Sequence, residues 1–425
     1  MTKPNLRIIR PAPLPLGLYI RTGKDGRADL ENFILANPAG INGLVVEAKR
    51  LKHQKELMSL ASDRRIDLIL DPQTQAMAHV GGYKSSMDSL PWSKKRVHTL
   101  GDFSTSASKR ELANLIAQFV IENKFTQVLA PTHLISGADD PWLEVDMMAT
   151  QELRLALDRN GARSVDIAYS LALSYECFRT EAKRQAVLSK IEQLPANSVW
   201  LAVDGCGARS SPLAITKYCD AARDFHSLDV PLVADHMGGI PGLALLAFGA
   251  VGGIAHGQGV GERFNCGSWR RIPQKGGGGA VQRYYVPSLD MMLKRDQIEK
   301  AVETAGAKAR SIFLCRNTAC CPTGYADMMH NGHRHFLFQR IQEVNGLSQI
   351  PETLRPRKFL EDHVRAASDY ANIAQYLELP EDVSKAIKAK AKELANLRLA
   401  LSAYDSRTRD KASYSKHPLT LAARG

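Results

Sequence analysis

Short apolar runs recur along the first 256 residues at 16–21, 43–48, 66–70, 127–131, 165–172, 198–203, 231–234 and 252–256. Most are bounded by glycine, proline or polar positions, as buried strands are. Between them lie amphipathic stretches such as 109–123, 143–160, 180–194 and 212–225. These carry apolar residues at the 3.6-residue spacing of one helix face. Strand followed by helix, repeated eight times, predicts an α/β chain whose parallel sheet closes into a (β/α)8 barrel. In such a barrel the C-terminal ends of the strands converge on one mouth, where chemistry is carried out.

After the eighth run the pattern changes. A basic loop around Trp269-Arg270-Arg271 leads into a glycine run at 276–279, and 279–286 reads as extended. Helical patterns resume at 296–305, 336–342, 359–376 and 380–404, followed by a basic tail from Arg407. The chain therefore divides into a barrel at 1–270, a basic loop with a metal-binding insertion at 271–345, and a C-terminal helical segment at 346–425.

Composition narrows the setting. The 425 residues suffice for one barrel and a second helical unit, and a hydrophobic fraction of 44% is that of an ordinary globular protein. No apolar run is expected to span a bilayer, which takes roughly 18 residues, and the first residues lack a signal-peptide core. Seven cysteines without a regular framework suit a reducing cytoplasm better than secretion. A net charge of +12 suits a polyanion such as nucleic acid as partner through non-specific attraction, and equally a basic enzyme of small molecules.

Three of the predicted strands end in aspartate: Asp71, Asp204 and Asp235. Facing one another across a mouth, two carboxylates can cleave an N-glycosidic bond, one attacking the anomeric carbon and one moving protons on the base. Asp71 and Asp235 are the expected catalytic pair. Gln73, Gln75, His133, Asp204, Gly205, Gly238, Gly239 and His256 lie at or just after strand ends and form the expected substrate-binding set. Arg263, Arg270, Arg271 and Lys275, with Trp269 among them, suit a nucleic-acid backbone and a stacked base.

Three of the seven cysteines and three of the twelve histidines fall between 315 and 335. Thiolate and imidazole are the ligand types of tetrahedral zinc, which takes four. Cys315, Cys320 and Cys321 with His333 or His335 would make a Cys3His site, structural because no open-site carboxylate accompanies it.

With these motifs in view, the chain resembles the tRNA-guanine transglycosylase superfamily. Leu68-Ile69-Leu70-Asp71-Pro72-Gln73-Thr74-Gln75 is similar to the family's third-strand motif, and the resemblance implies a proton-shuttling role for Asp71. Asp204-Gly205-Cys206-Gly207 stands where the family's sixth strand contacts the base, and Met237-Gly238-Gly239 is similar to the glycine pair around a small residue that ends its seventh strand. His330-Asn331-Gly332-His333-Arg334-His335-Phe336 is similar to the start of its C-terminal helix. The chain departs from the family at strand eight, where Ala255-His256 replaces the nucleophilic aspartate, and at strand four, where Thr132-His133 replaces a base-reading one. Asp235 is the expected substitute nucleophile.

The resemblance implies exchange of guanine in nucleic acid for a 7-deazaguanine, with DNA expected over tRNA and a partner ATPase or helicase to open the duplex. The competing expectations are the same exchange on tRNA and an inactive barrel that binds nucleic acid.

Overall fold

In the computed structural model the described residues are 16–23, 26–36, 40–259, 261–272 and 281–408. Lys275, the glycine run at 276–279 and the tail beyond 408 lie outside them. Eight parallel strands form the barrel: β1 (Gly17–Thr22), β2 (Gly43–Glu47), β3 (Asp67–Asp71), β4 (Gln127–Leu129), β5 (Asp166–Leu173), β6 (Ser198–Val203), β7 (Leu232–Asp235) and β8 (Gly253–His256). Each neighbours the next in sequence, β8 pairs with β1, and β4 pairs directly with β5, so no edge is left open. A two-residue strand, Leu134–Ile135, extends the pairing of β5.

The helices between strands begin where the chain supplies caps. Ser211 accepts from the Ala214 amide with Pro212 at the first helical position, and Asp140 does the same for Pro141–Arg159 through the Trp142 amide. Helix Arg295–Phe313 breaks at Gly306, where φ is 60° and ψ is −133°, so its regular part ends where the periodicity ended at 305.

Tyr19, Val45, Ile69, Leu129, Ala168, Trp200, Val233 and Ala255, one from each strand, pack together inside the barrel. Side chains alternate with a period of two, so the residue two positions further on also faces inward, one level nearer the mouth. In such barrels alternate strands share a level. Strands β1, β3, β5 and β7 thereby bring Arg21, Asp71, Ser170 and Asp235 to one polar layer above an apolar floor. The opposite phase (Leu18, Ile20, Val46, Leu70 and Ala234 among it) packs outward against the helices in the main core.

The eighth barrel helix arrives late. Helix Gly332–Ser348 packs against β1, against helix Arg27–Ala36 and against helix Gly239–Ala247, which is the eighth position of the ring. The Ser348 hydroxyl accepts from the Leu16 amide at 2.9 Å and ties its end to the start of β1. The antiparallel hairpin Arg283–Val286/Met291–Lys294, helix Arg295–Phe313 and the cysteine loop are thus an excursion between β8 and its helix, rather than an appendage following a finished barrel. The last helix, Glu381–Thr408, lies on helix Pro212–Asp224, and one apolar core runs from the barrel into this layer.

Candidate active site and metal centre

Arg21 organises the mouth. Its Nε donates to Asp235 Oδ1 at 2.6 Å, another of its nitrogens contacts Asp235 Oδ2 at 2.5 Å, and Nη1 donates to Asp71 Oδ2 at 2.7 Å. Two acids two strands away on either side of β1 are therefore joined across one guanidinium. Burial alone would raise the Asp235 carboxyl, but the Arg21 charge and then His236 hold it below its ordinary value. The same two acids push Arg21 further toward its charged form against the cost of its burial. The Asp71 side chain keeps 19% of its surface exposed, and that of Asp235 only 2%. Asp71 is the acid open to a ligand.

The backbone braces both acids. The Gln73 amide donates to Asp71 Oδ1 at 2.8 Å and the His236 amide to Asp235 Oδ1 at 2.9 Å. Both donors sit in the left-handed region, at φ 63° and 57°. Non-glycine residues held there concentrate at functional sites. His236 lies against the acid pair; burial and the nearby Arg21 charge lower its pKa, and its Nδ1 is 3.3 Å from the Gly261 carbonyl.

Above Ser170 the hydrogen bonds have a defined direction. The Thr132 hydroxyl donates to the Ser170 carbonyl, so its oxygen is left to accept. The Gln75 amide nitrogen donates to that oxygen at 3.1 Å and to the Ser170 hydroxyl at 2.8 Å. This consumes the NH2 end of Gln75 and orients its carbonyl end as an acceptor.

A cleft of about 730 Å³ opens beside the acids, between the end of β2 and the loop after β8. Glu47, Lys49, Gln73, Lys84, Trp269 and Arg271 line it. Trp269 is tilted over His79 with ring centroids 5.8 Å apart and meets Phe264 edge-on at 5.4 Å. Arg263, Arg270 and Arg271 are exposed around it. The loop presses close on the barrel: a Cβ at Gly207 would lie 2.3 Å from the Glu262 carbonyl oxygen, and Gly207 bridges to Arg263. Only glycine permits that approach.

Several expected ligand-contacting residues are engaged elsewhere. His256 stands in the outward phase of β8, packs edge-on against Phe336 at 5.9 Å and is fully buried. It faces the helix layer, and burial pushes its pKa down to about 4. Asp204 accepts from the Cys266 amide at 2.8 Å and ties down the loop after β8. Gly238 is covered by Glu262, whose Oε1 would lie 2.0 Å from a Cβ there. Gly239 has φ 63° and abuts Ala208, while open space surrounds Gly205. His133 is buried, with Nδ1 2.6 Å from Asp146 Oδ1 and its ring stacked on Trp142 at 3.8 Å. Arg21, Glu47 and His236 were not singled out from the sequence. The inward phase of β1 and β2 was the signal that marks the first two.

Cys315, Cys320, Cys321 and His335 are all buried, with their ligand atoms within 4.8 Å of one another. The sulfurs of Cys320 and Cys321 are 3.7 Å apart, and His335 Nδ1 is 3.3 and 3.5 Å from them. Tetrahedral zinc with sulfur at about 2.3 Å and nitrogen at about 2.0 Å has edges of roughly 3.8 and 3.5 Å. The donor set and its spacing therefore suit a metal ion such as zinc, and the adjacent cysteines both belong to it. His335 Nε2 lies 2.9 Å from the Tyr285 carbonyl, the outer contact that fixes a ligating imidazole. His333 is not part of the group. Its Nδ1 is 3.2 Å from the Gln258 carbonyl, because residues two apart on a helix face different sides.

No protein-family model matches the chain, and no curated protein matches it in sequence. Among solved structures it is similar to a GH10 xylanase from Bispora sp. MEY-1, at 12% identity over 57% of this chain and 83% of that one, with a TM-score of 0.36. It is also similar to a 3-dehydroquinate dehydratase from Enterococcus faecalis, at 11% identity over 57% and 89%, with a TM-score of 0.36. The barrel is defined by its own strand order, and the reading of its mouth stands on the residues above.

Proposed function

We propose that this barrel is a base-exchanging glycosyltransferase that replaces guanine in DNA with a 7-deazaguanine. The observation that carries the reading is the pair Asp71 and Asp235, joined through Arg21 beside a basic cleft edged by Trp269. A flipped-out nucleotide enters the mouth, since the bond to be cut is unreachable inside a stack. A carboxylate attacks C1′, and the C1′–N9 bond breaks with its electron pair leaving on guanine, which takes up a proton. The incoming base gives up a proton, attacks C1′ and displaces the carboxylate, so bonds and protons balance.

The greater exposure of Asp71 favours it for the covalent step, in place of the shuttle role that family resemblance implies, with Asp235 as the buried counter-charge that keeps Arg21 in position. His236, held neutral by burial, is the proton carrier. Gln73 and Gln75 read the base edge, and Arg263, Arg270 and Arg271 hold backbone phosphates. Zinc on Cys315, Cys320, Cys321 and His335 is structural, clamping the eighth helix to the cysteine loop. A partner ATPase or helicase would supply the opened duplex.

The test is incubation of the chain with guanine-labelled duplex DNA, single-stranded DNA and tRNA, with and without 7-cyano-7-deazaguanine. Base-dependent release from DNA supports the reading, and release from tRNA alone moves the substrate to tRNA. A second reading, a binding barrel without chemistry, is favoured by Arg21 occupying both acids. It predicts salt-sensitive binding and no release from any polymer.

A further inference from the structure

A second concave site lies on the opposite side of the barrel. A groove of about 720 Å³ runs between the ring and the C-terminal helices. Arg223 and Phe248, which line it, follow or close helices that run back toward the N-terminal ends of β7 and β8. The groove is therefore on the face away from the mouth and independent of the acids there.

Four guanidinium groups and two carboxylates are among its lining side chains. Arg223, Arg357, Arg365 and Arg398 face Glu361 and Asp405. Arg357 is paired with Glu361 at 2.9 Å. Arg365 and Arg398 are both exposed, and Arg365 acts on Glu361 through its charge, four positions away on the same helix. Arg223 lies over the Tyr404 ring at 5.2 Å, and its Nε is buried without a hydrogen-bond partner. One wall is a π-helical turn, Leu360–Arg365. Such widened turns inside helices recur at functional sites, and this one carries Arg365 to the groove. Four guanidinium groups against two carboxylates leave fork donors in excess, and such forks match phosphate oxygens, which they bind in pairs.

We infer that this groove is a phosphate-binding site for a ligand carrying two or more phosphates, separate from the barrel mouth. The shared chemistry admits a nucleic-acid strand or a free polyphosphate or nucleotide. The full chain is titrated with inorganic tripolyphosphate and with a short fluorescein-labelled single strand across a range of salt. The R365A/R398A variant should bind about tenfold more weakly, and its log–log salt slope for the strand should fall by about 1.4 for two lost contacts. Its thermal midpoint should stay unchanged, because both side chains are exposed. R365K/R398K should recover only part of the affinity, since lysine lacks the fork. Weakening for the strand alone identifies a nucleic-acid backbone as the ligand, and weakening for tripolyphosphate alone identifies a free polyphosphate or nucleotide. No binding of either probe, or equal affinity of the wild-type and R365A/R398A chains for both, overturns the inference. None of these outcomes depends on base exchange at the mouth.

Discussion

Arg21 and Asp235 form a two-point ion pair across the mouth of the barrel, with Nε 2.6 Å from Oδ1 and both side chains at or below 10% exposure. The remaining nitrogen of the fork turns to Asp71. Water is largely excluded from this arrangement, so each charge depends on the others. Removing one partner of a buried pair leaves an uncompensated charge and costs about 3–5 kcal/mol. R21M should lower the unfolding free energy by that amount in urea melts, while R21M/D235L should recover much of it. A single variant within 1 kcal/mol of wild type would show the pair to be more solvated than its geometry.

Asp71 and Asp235 differ in access, which separates their expected phenotypes. D71A should abolish a covalent enzyme–DNA adduct on denaturing gels and all base release. D235A should slow release by about 10²–10³-fold while still allowing an adduct, because its loss frees Arg21 to move. An adduct that survives D71A and vanishes in D235A would return the nucleophile to Asp235.

The cysteine–histidine group makes a stoichiometric prediction. The purified chain should carry one equivalent of zinc by metal analysis, and a strong chelator should lower the thermal midpoint. C320S, C321S and H335A should each lose the metal, and H333A should retain it. Folding linked to metal binding is the expectation for a closed site of this kind.

Glu262 predicts the pH dependence of stability. It is buried beneath Gly238, with Oε1 unpartnered and Arg340 Nε 4.0 Å away. Burial raises its pKa to about 7, with nearby Asp290 and Glu343 adding to the shift and Arg340 opposing it. A carboxyl whose pKa is higher folded than unfolded binds its proton more tightly in the native state. Its stabilisation is full below the unfolded value near 4.3 and is lost as pH rises through about 7. E262Q should flatten the fall in thermal midpoint between pH 5 and 7.5. An identical slope in the variant would mean that other groups carry it.

Trp269 should act on binding rather than fold. It is half-exposed at the cleft edge, and W269A should cost about 1–3 kcal/mol in single-strand affinity, read by fluorescence anisotropy, if a base stacks there.

Local periodicity determined much of this protein. Each of the eight strands falls within two residues of its apolar run, because strand and helix periods are written into consecutive positions. The ligand types of the metal centre were equally legible, since three cysteines and a histidine lie close along the chain. Tertiary structure decided the rest. His256 and Asp235 both end apolar strands, yet alternation turns one to the helices and the other to the mouth. Arg21 pairs with acids 50 and 214 residues away, and no local pattern reports such a separation. His335 rather than His333 joins the cysteines because helix phase, set by packing on β1, turns only one of them inward. The residue types at the site were in the sequence; their partners were chosen by closure of the barrel, which brings alternate strands to one level where charge must be matched out of water.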